Sequence, residues 1–228
     1  MASIMESQIQ AAEQKCLNSW KRGPTRFRWT KLPLQVGDSA PDFELADSSG
    51  KPVNLRDFWS EGPALLLFWR HYGYGCGMER AGRLQQEYDD YVAAGANVVI
   101  IGQGEPERAA AYAEKYGLPA VPVLCDPEFR VYEAYGLLEG KPSQIVFDAP
   151  EEFLRRDYDA FAQLAKARRE AGRPLVDNPW QLPGEFVVDE SGIVRLTYRY
   201  NYCEDFPDHR VLLAATRESI VESEEKQN

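Results

Sequence analysis

Two apolar runs separated by one helical stretch restrict the fold of this chain more than any other feature. Residues 63–70 read PALLLFWR and residues 97–102 read NVVIIG. Runs of this length without polar alternation are typical of strands that are buried on both faces. Between them, residues 78–95 have the spacing of an amphipathic helix that is closed by Gly95. The pattern therefore predicts a parallel β-α-β unit.

Inside the helix of this unit, the apolar face is set by Leu84 and Tyr88, and then by either Tyr91 or Val92. Further elements lie on both sides of the unit: a hairpin at DFELADSSGKPVNL, a helix at EPERAAAYAEKYG, a short strand at AVPVLCD, a helix that begins at Pro127, a second hairpin at GEFVVDESGIVRLTYRY and a final helix at DHRVLLAATRESIVES. Because Pro122 interrupts the short strand, we expect that strand near a sheet edge. A β-α-β unit followed by a β-β-α unit predicts an α/β fold of the thioredoxin-like class.

Two segments do not fit the alternation. Residues 1–30 are predicted to form a helical extension and a connector, and residues 31–228 to form the thioredoxin-like domain, with a helical insertion at about 140–180 before the last hairpin. A stripe of apolar residues in the extension would pack on the domain or on a second subunit of a homodimer: Met5, Ile9, Ala12, Cys16 and Trp20. In the insertion, the residues expected to share one helix face are Leu154, Tyr158, Phe161 and Ala165.

The charge balance excludes two classes of partner. The chain of 228 residues carries a formal net charge of −10 and no segregated basic face, so neither nucleic acid nor a membrane surface is an expected partner. The first 20 residues lack the apolar core of a secretory signal, and no apolar run is long enough to cross a bilayer. We therefore expect a cytoplasmic protein.

The spacing of the cysteines argues for nucleophilic or redox chemistry. No two of the four lie two or three residues apart: Cys16, Cys76, Cys125 and Cys203. With only two histidines in the chain, this spacing predicts no metal site and no disulfide scaffold, and no cofactor is indicated.

Cys76 lies where the buried strand passes into the long helix. Free N–H groups and the positive end of the helix dipole stabilise an anion at such a position, which favours a thiolate. Gly73, Gly75 and Gly77 remove bulk on both sides of the sulfur. The alternative is that Cys76 is a small core residue.

Charged and aromatic neighbours of Cys76 are further candidates. Arg70, His71 and Arg80 would add positive potential, while Glu79 would oppose it. Tyr72 and Tyr74 would wall a pocket. Each also has an ordinary structural interpretation as a solvated charge, a locally bonded histidine or a core aromatic.

The sequence resembles the peroxiredoxin-like branch of the AhpC/TSA group in the thioredoxin superfamily. The resemblance rests on VGDSAPDFEL, LLLFWRHYGYGCGMERA, CDPEFRVYEAYGL and LPGEFVVDESGIVRLTYRYNY. Peroxiredoxins carry P-x-x-x-T-x-x-C-x-x-E around the reactive cysteine. Cys76 and Glu79 match that motif, but Trp69 stands at the proline position and Gly73 at the threonine position.

A second departure lies before the strand GEFVVD. The family's arginine position holds Pro183, which resembles the cis-proline of thioredoxins. Arg70 or Arg199 would have to replace the missing arginine. Gly73 also stands where thioredoxin-type sites have their first cysteine, so no disulfide can form within this loop.

The resemblance implies a thiol peroxidase in which Cys76 attacks a small hydroperoxide and an external thiol serves as reductant. Cys203, expected in an accessible surface loop, and Cys125, at the end of the short strand, are the candidate resolving residues; packing is the alternative for both. Two other functions remain open: a thiol-disulfide oxidoreductase, and a non-catalytic interaction or sensing module.

Overall fold

A computed structural model describes residues 2–70, 72, 76–146 and 149–227, with the backbone alone for residues 2, 3, 76 and 221–227. The strands are β1 (Glu44–Asp47), β2 (Pro52–Asn54), β3 (Ala64–Phe68), β4 (Asn97–Gly102), β5 (Val123–Cys125), β6 (Gly184–Val188) and β7 (Val194–Arg199). The helices are α1 (Ala2–Arg22), α2 (Cys76–Ala93), α3 (Pro106–Lys115), α4 (Arg130–Ala134), α5 (Pro142–Ile145), α6 (Glu151–Leu154), α7 (Tyr158–Glu170) and α8 (His209–Gln227). Within this described part of the chain, none of the helices combines the length and apolarity needed to cross a membrane.

The strands that the structure describes form one seven-stranded sheet in the order β2-β1-β5-β4-β3-β6-β7. The pairs β3/β4 and β4/β5 are parallel and the other pairs are antiparallel. The predicted α/β thioredoxin-like fold is therefore confirmed. The expected edge position of β5 is wrong, because β5 lies between β1 and β4. Pro122 precedes the strand, and its carbonyl accepts the Ile100 N–H at 2.9 Å, so the missing proline N–H interrupts no ladder bond.

Each face of the sheet carries its own apolar core. The first core includes Leu65, Leu67, Leu84, Tyr91 and Ile100 and lies under α2, α3 and α8. Tyr91 is fully buried and Val92 is 49% exposed, which settles the open choice between them. The second core lies on the opposite face and contains Leu66, Phe68, Val99, Tyr132, Tyr135 and Phe186. Burial on both faces explains why the strands read as continuous apolar runs.

The apolar stripe of α1 packs on the same chain. Trp20 stacks on Phe161 of α7 with ring centroids 3.9 Å apart, and on Trp180 at 4.6 Å. Cys16 and Trp20 are 2% and 1% exposed. This part of the stripe is therefore covered by the insertion and needs no second subunit to bury it.

The insertion is helical, as predicted, but its long helix is broken. The chain turns at Arg156, which has a φ of 59°, and Asp157 then begins α7 by accepting the Ala160 N–H at 3.0 Å. An N-cap side chain of this kind competes with continuation of the preceding helix. The expected common face is therefore wrong for Leu154 and Tyr158, which are 45% and 38% exposed, and right for buried Phe161 and Ala165.

The helix that was expected to begin at Pro127 begins three residues later. The Asp126 carboxylate accepts backbone N–H groups of Arg130, Val131 and Tyr132 at 3.1, 2.8 and 3.3 Å. A carboxylate at the open N–H groups fixes the start of a helix. The intervening residues form a turn, in which Phe129 has a φ of 62°.

Candidate active site

The helix α2 begins at Cys76, at the position where the sequence predicts an activated thiol. Its first N–H groups have no partners within the helix and carry the positive end of the helix dipole. The Cys76 side chain and the residues His71, Gly73, Tyr74 and Gly75 lie outside the described residues. The described part of the site consists of the elements that surround the start of α2.

A small cavity borders the start of α2, and we call it the helix-start cavity. Its volume of about 10 Å³ is roughly what one water molecule needs. Gly77, the residue after Cys76, forms one wall, and the other walls come from β3, β6 and the segment after β7. The cavity is lined by Phe68, Trp69, Arg70, Gly77, Arg80, Pro183, Glu185, Tyr200, Cys203 and Phe206.

A buried charge network lies against this cavity. The Arg80 guanidinium donates from Nε to Glu185 Oε1 at 2.9 Å and from Nη1 to Glu87 Oε2 at 3.0 Å. Tyr200 donates its hydroxyl to Glu185 Oε1 at 2.8 Å, and Tyr91 donates to Glu87 Oε2 at 3.0 Å. The side chains of Arg80 and Glu185 are only 7% and 3% exposed. The positive potential expected from Arg80 is thus offset by its pairing with two acidic side chains.

Glu185 and Tyr200 were not predicted as site residues. The signal for Glu185 was present in the sequence, since an acid inside the apolar strand GEFVV must be paired when it is buried. Its partner could not be found in the same way, because Arg80 lies 105 residues earlier in the chain. Tyr200 follows the last strand and carries no comparable signal.

Arg70 is placed at the site and Arg199 is not. Arg70 is 9% exposed, lines the helix-start cavity and donates from Nη2 to the Pro179 carbonyl. Arg199 donates to the carbonyls of Tyr135 and Leu34 at 3.0 and 2.6 Å. Its guanidinium therefore holds backbone segments together outside the cavity. Of the two arginines considered as replacements, Arg70 is the one near the start of α2.

Glu79 and Tyr72 point away from the helix-start cavity. Glu79 is exposed and accepts Arg83 Nη2 at 3.1 Å, an i,i+4 pair on the outer face of α2. The Tyr72 ring packs on Tyr112 with centroids 5.3 Å apart and lines a different cavity of about 180 Å³ beneath α1 and α3. A Cβ on Gly102 would come within 2.0 Å of the Tyr72 hydroxyl, so the close approach requires glycine.

Pro183 lines the helix-start cavity, but the expected resemblance to a cis-proline is wrong. None of the peptide bonds among the described residues is cis. The chain is extended here, with the Leu182 N–H bonded to the Leu138 carbonyl at 3.0 Å and the Pro183 carbonyl accepting the Tyr200 N–H at 3.2 Å. A trans bond is the ordinary state of such an extended segment.

The other cysteines differ in their relation to the site. Cys203 is 8% exposed, so the predicted accessible position is wrong: its Sγ donates to the Ile145 carbonyl at 3.0 Å, and α5 covers it. It nevertheless lines the helix-start cavity. Cys125 and Cys16 lie in apolar cores, and burial raises the pKa of each thiol to about 12. Both are therefore poor thiolates at neutral pH.

Known proteins resemble this chain in both sequence and fold. Peroxiredoxin Bcp of Escherichia coli (strain K12) is 33% identical over 133 residues, which are 58% of this chain and 78% of that protein. Thiol-disulfide oxidoreductase ResA of Geobacillus thermodenitrificans (strain NG80-2) is 32% identical over 112 residues, 49% of this chain and 63% of that protein. The crystal structure of peroxidoxin BcpB from Mycobacterium tuberculosis superposes with a TM-score of 0.57 at 20% identity, covering 82% of this chain and 98% of that one.

The fold and these likenesses define the class of protein, a peroxiredoxin-like oxidoreductase with a thioredoxin-like fold. The sequence profile described as AhpC/TSA family matches residues 36–197. The chain belongs to the AhpC/TSA family. The matched segment includes Cys76 and the start of α2 and leaves α1 outside it.

Proposed function

We propose that this protein reduces small hydroperoxides through Cys76. The observation that carries the proposal is the position of Cys76 as the first residue of the 18-residue helix α2, beside a cavity that Arg70 and Arg80 line. Open N–H groups and the helix dipole favour a thiolate there. Relatives that are named peroxiredoxins support the same chemistry.

The first step is a two-electron oxidation of sulfur. The Cys76 thiolate attacks the terminal oxygen of the hydroperoxide, an S–O bond forms and the O–O bond breaks. Cys76 becomes a sulfenic acid, and the leaving oxygen departs as water or an alcohol after it gains one proton. Since the threonine position of the family motif holds Gly73, the charge on the leaving oxygen must be stabilised by other groups, and Arg70 is the candidate for that role.

We further propose Cys203 as the resolving residue. Cys203 and Gly77 line the same cavity, whereas Cys125 lies in the core under the sheet. Attack of Cys203 sulfur on the sulfenic acid would form a Cys76–Cys203 disulfide and release water, and an external thiol would then reduce the disulfide. Cys203 is buried, and its thiol is hydrogen-bonded to the Ile145 carbonyl. This step therefore requires the segment after β7 to move.

The test uses the reduced protein and one equivalent of hydrogen peroxide, with peptide mass spectrometry at timed quenches. We expect rapid loss of the Cys76 thiol, followed by a Cys76–Cys203 disulfide. Cys203→Ser should leave the first step intact and accumulate sulfenic acid, while the matched control Cys125→Ser should still form the disulfide. Oxidation of Cys76 no faster than that of free cysteine would refute the peroxidase proposal. A disulfide in Cys203→Ser, or none in the wild type, would refute the resolving role.

A second candidate function is thiol-disulfide exchange, which the similarity to ResA favours. In this reaction Cys76 would form a mixed disulfide with a partner protein, and a second thiol would release that partner. Gly73 stands at the first cysteine position of a C-x-x-C motif, so release would fall to Cys203 or to an external thiol. Reaction of Cys76 with a small disulfide that is much faster than with hydrogen peroxide would favour this function.

The expected partners are a small hydroperoxide and an external thiol reductant. A homodimer and a cytoplasmic location stay predictions from the sequence. The stripe of α1 gives no reason for a dimer, because Trp20 is already buried against Phe161 and Trp180. Sedimentation of the reduced protein at two concentrations would measure the oligomeric state.

A further inference from the structure

Glu185 lines the helix-start cavity, and one of its carboxyl oxygens has no hydrogen-bond partner among the described residues. Glu185 Oε1 accepts two hydrogen bonds, from Arg80 Nε at 2.9 Å and from the Tyr200 hydroxyl at 2.8 Å. Glu185 Oε2 is buried, and no described residue gives it a hydrogen bond. A buried polar atom without a partner is costly, and in a native protein a catalytic role is one explanation for it.

The fold presents this side chain to the start of α2. Glu185 lies on β6, where it pairs with Leu67 of β3 and Tyr198 of β7. Its neighbour at i+2, Val187, belongs to the core under α2 and α8, so Glu185 faces the same helix layer. Since Arg80 lies in the first turns of α2, the ion pair ties the carboxyl group to the helix that begins with Cys76.

The charges around Glu185 favour one proton on this cluster. The Arg80 guanidinium is shared by Glu185 and Glu87, so a single cation faces two carboxyl groups. Glu87 is 16% exposed and also accepts the Tyr91 hydroxyl, whereas Glu185 is 3% exposed. The more deeply buried acid is the one that loses most by being ionised.

Other polar groups near Glu185 do not remove this preference. Arg70 lines the cavity, but it donates to the Pro179 carbonyl. Tyr198 donates its hydroxyl to Asp205 at 3.0 Å, and Cys203 donates its thiol to the Ile145 carbonyl. Burial accordingly raises the pKa of Glu185, although Arg80 and the Tyr200 hydrogen bond oppose the shift.

Because both donors bind Oε1, a proton on Glu185 resides on Oε2. We propose that Glu185 is the proton donor to the leaving oxygen when Cys76 attacks a hydroperoxide. The inference rests on the proposed peroxidase function.

The thiolate takes the terminal oxygen, the O–O bond breaks, and the proton passes from Glu185 Oε2 to the departing oxygen, giving water or an alcohol and leaving Glu185 as a carboxylate. Sulfur is oxidised by two electrons, the peroxide is reduced by two, and solvent returns the proton. Glu185 thereby stabilises the leaving oxygen in a site whose threonine position holds Gly73.

The test compares two oxidants that differ in their need for a proton. Hydrogen peroxide expels hydroxide, which requires protonation, whereas peracetic acid expels acetate, which is stable as an anion. Glu185→Gln keeps an oxygen for Arg80 and Tyr200 but has no acidic proton. We expect it to slow oxidation of Cys76 by hydrogen peroxide roughly 10²- to 10⁴-fold, the usual contribution of a general acid, and to slow peracetic acid only a few-fold at most.

Tyr198→Phe is the matched control, since it removes a hydroxyl that is bonded to Asp205 at 3.0 Å and does not line the cavity. It should change the rate constants for the two oxidants by the same factor. Equal slowing of both oxidants in Glu185→Gln, or no slowing, would overturn the proposal while wild-type Cys76 still reacts rapidly. Slow oxidation of the wild type by both oxidants would refute the peroxidase function itself.

A second variant covers the case in which Glu185→Gln does not fold. Glu185→Asp retains a carboxylic proton on a shorter side chain. The proposal requires Glu185→Asp to slow the oxidation of Cys76 by hydrogen peroxide by a larger factor than the oxidation by peracetic acid. Equal factors would contradict the proposal.

Discussion

Two buried pairs of an arginine and an acidic residue in this molecule contain the same kinds of group but differ in saturation. By saturation we mean whether both carboxyl oxygens accept a hydrogen bond. Arg108 of α3 donates to both oxygens of Asp177, through Nη1 at 2.9 Å and through Nη2, and both side chains are at most 4% exposed. Arg80 of α2 donates to only one oxygen of Glu185, and the other oxygen has no hydrogen-bond partner in the described part of the chain. The first pair is a closed bidentate contact, and the second leaves one carboxyl oxygen open.

The saturated pair holds elements of the fold together, whereas the unsaturated pair lies at the candidate active site. Asp177 has a φ of 65°, and its N–H donates to the Ala12 carbonyl of α1 at 2.9 Å, so the saturated pair joins α3, the end of the insertion and the extension. The pair at Glu185 faces a cavity that Gly77 and Cys203 also line. Satisfying every atom favours rigidity, whereas one open oxygen allows a proton to be held and moved.

Removing the saturated pair should have the largest effect on stability. Arg108→Ala leaves the buried Asp177 carboxylate without its guanidinium partner. We expect the free energy of unfolding, measured by urea denaturation, to fall by about 3–5 kcal/mol. The rate constant for Cys76 oxidation should stay within about twofold in the folded protein. A loss of stability below about 1 kcal/mol, or a tenfold slower reaction, would mean that the two pairs do not differ as described.

Tyr200→Phe tests the unsaturated pair at its hydroxyl donor. The change removes the 2.8 Å bond to Glu185 Oε1, and a hydrogen bond between neutral groups contributes roughly 0.5–1.5 kcal/mol. We expect a loss in that range by urea denaturation. Tyr198→Phe, which removes a hydroxyl bonded to Asp205 at the edge of the sheet, is the control and should lose less.

The pH dependence of stability should have opposite signs at two acids. Burial raises the pKa of Glu185 above its usual 4.5, so its folded state binds the proton more tightly than the unfolded chain. Its contribution is fully present below about pH 4.5 and is lost as pH rises through the folded pKa. The free energy of unfolding of the wild type should therefore fall relative to that of Glu185→Gln as the pH rises.

Glu139 provides the opposite case. Its burial would raise the pKa, but hydrogen bonds from the Thr25 N–H, the Asn178 amide and the Arg26 N–H outweigh that effect and lower it. The stability that Glu139 contributes is present above about pH 4.5 and is lost as pH falls through the folded pKa. The same slope for Glu139→Gln and Glu185→Gln would show that the two environments do not differ in this way.

Glu79 should give the smallest effect. It matches the family motif in sequence, yet it is exposed and paired with Arg83. We expect Glu79→Gln to change stability by less than about 1 kcal/mol, as surface pairs do, and to leave the rate of Cys76 oxidation within about twofold. A large loss of rate, measured by stopped flow, would show that the motif position acts in the reaction despite its orientation.

The elements of the fold could be predicted from the sequence because their signals are local. The apolar runs of β3 and β4, the stripe of α2 and the two hairpins are periodic patterns that neighbouring residues create. The errors fall where a side chain or a distant partner decides. Asp157 breaks the predicted insertion helix, and β1 covers the strand that was expected near an edge.

The candidate site was predictable only in part. Cys76 is a candidate because a cysteine between a buried strand and a helix has a recognisable electrostatic setting, and Arg70 is a candidate because it is close to Cys76 in sequence. The same closeness was misleading for Glu79 and Tyr72, since successive helix residues and turn residues point in different directions.

The sequence by itself determined the order of strands and helices, the strand-to-helix position of Cys76 and the resemblance to the AhpC/TSA family. Only the tertiary structure decided which charges meet at that position. Arg80 and Glu185 are separated by 105 residues, and they pair because β6 lies beside β3 in the sheet and α2 packs on that face. Periodicity reports which side of an element is buried, but the identity of a partner across the core depends on how whole elements pack.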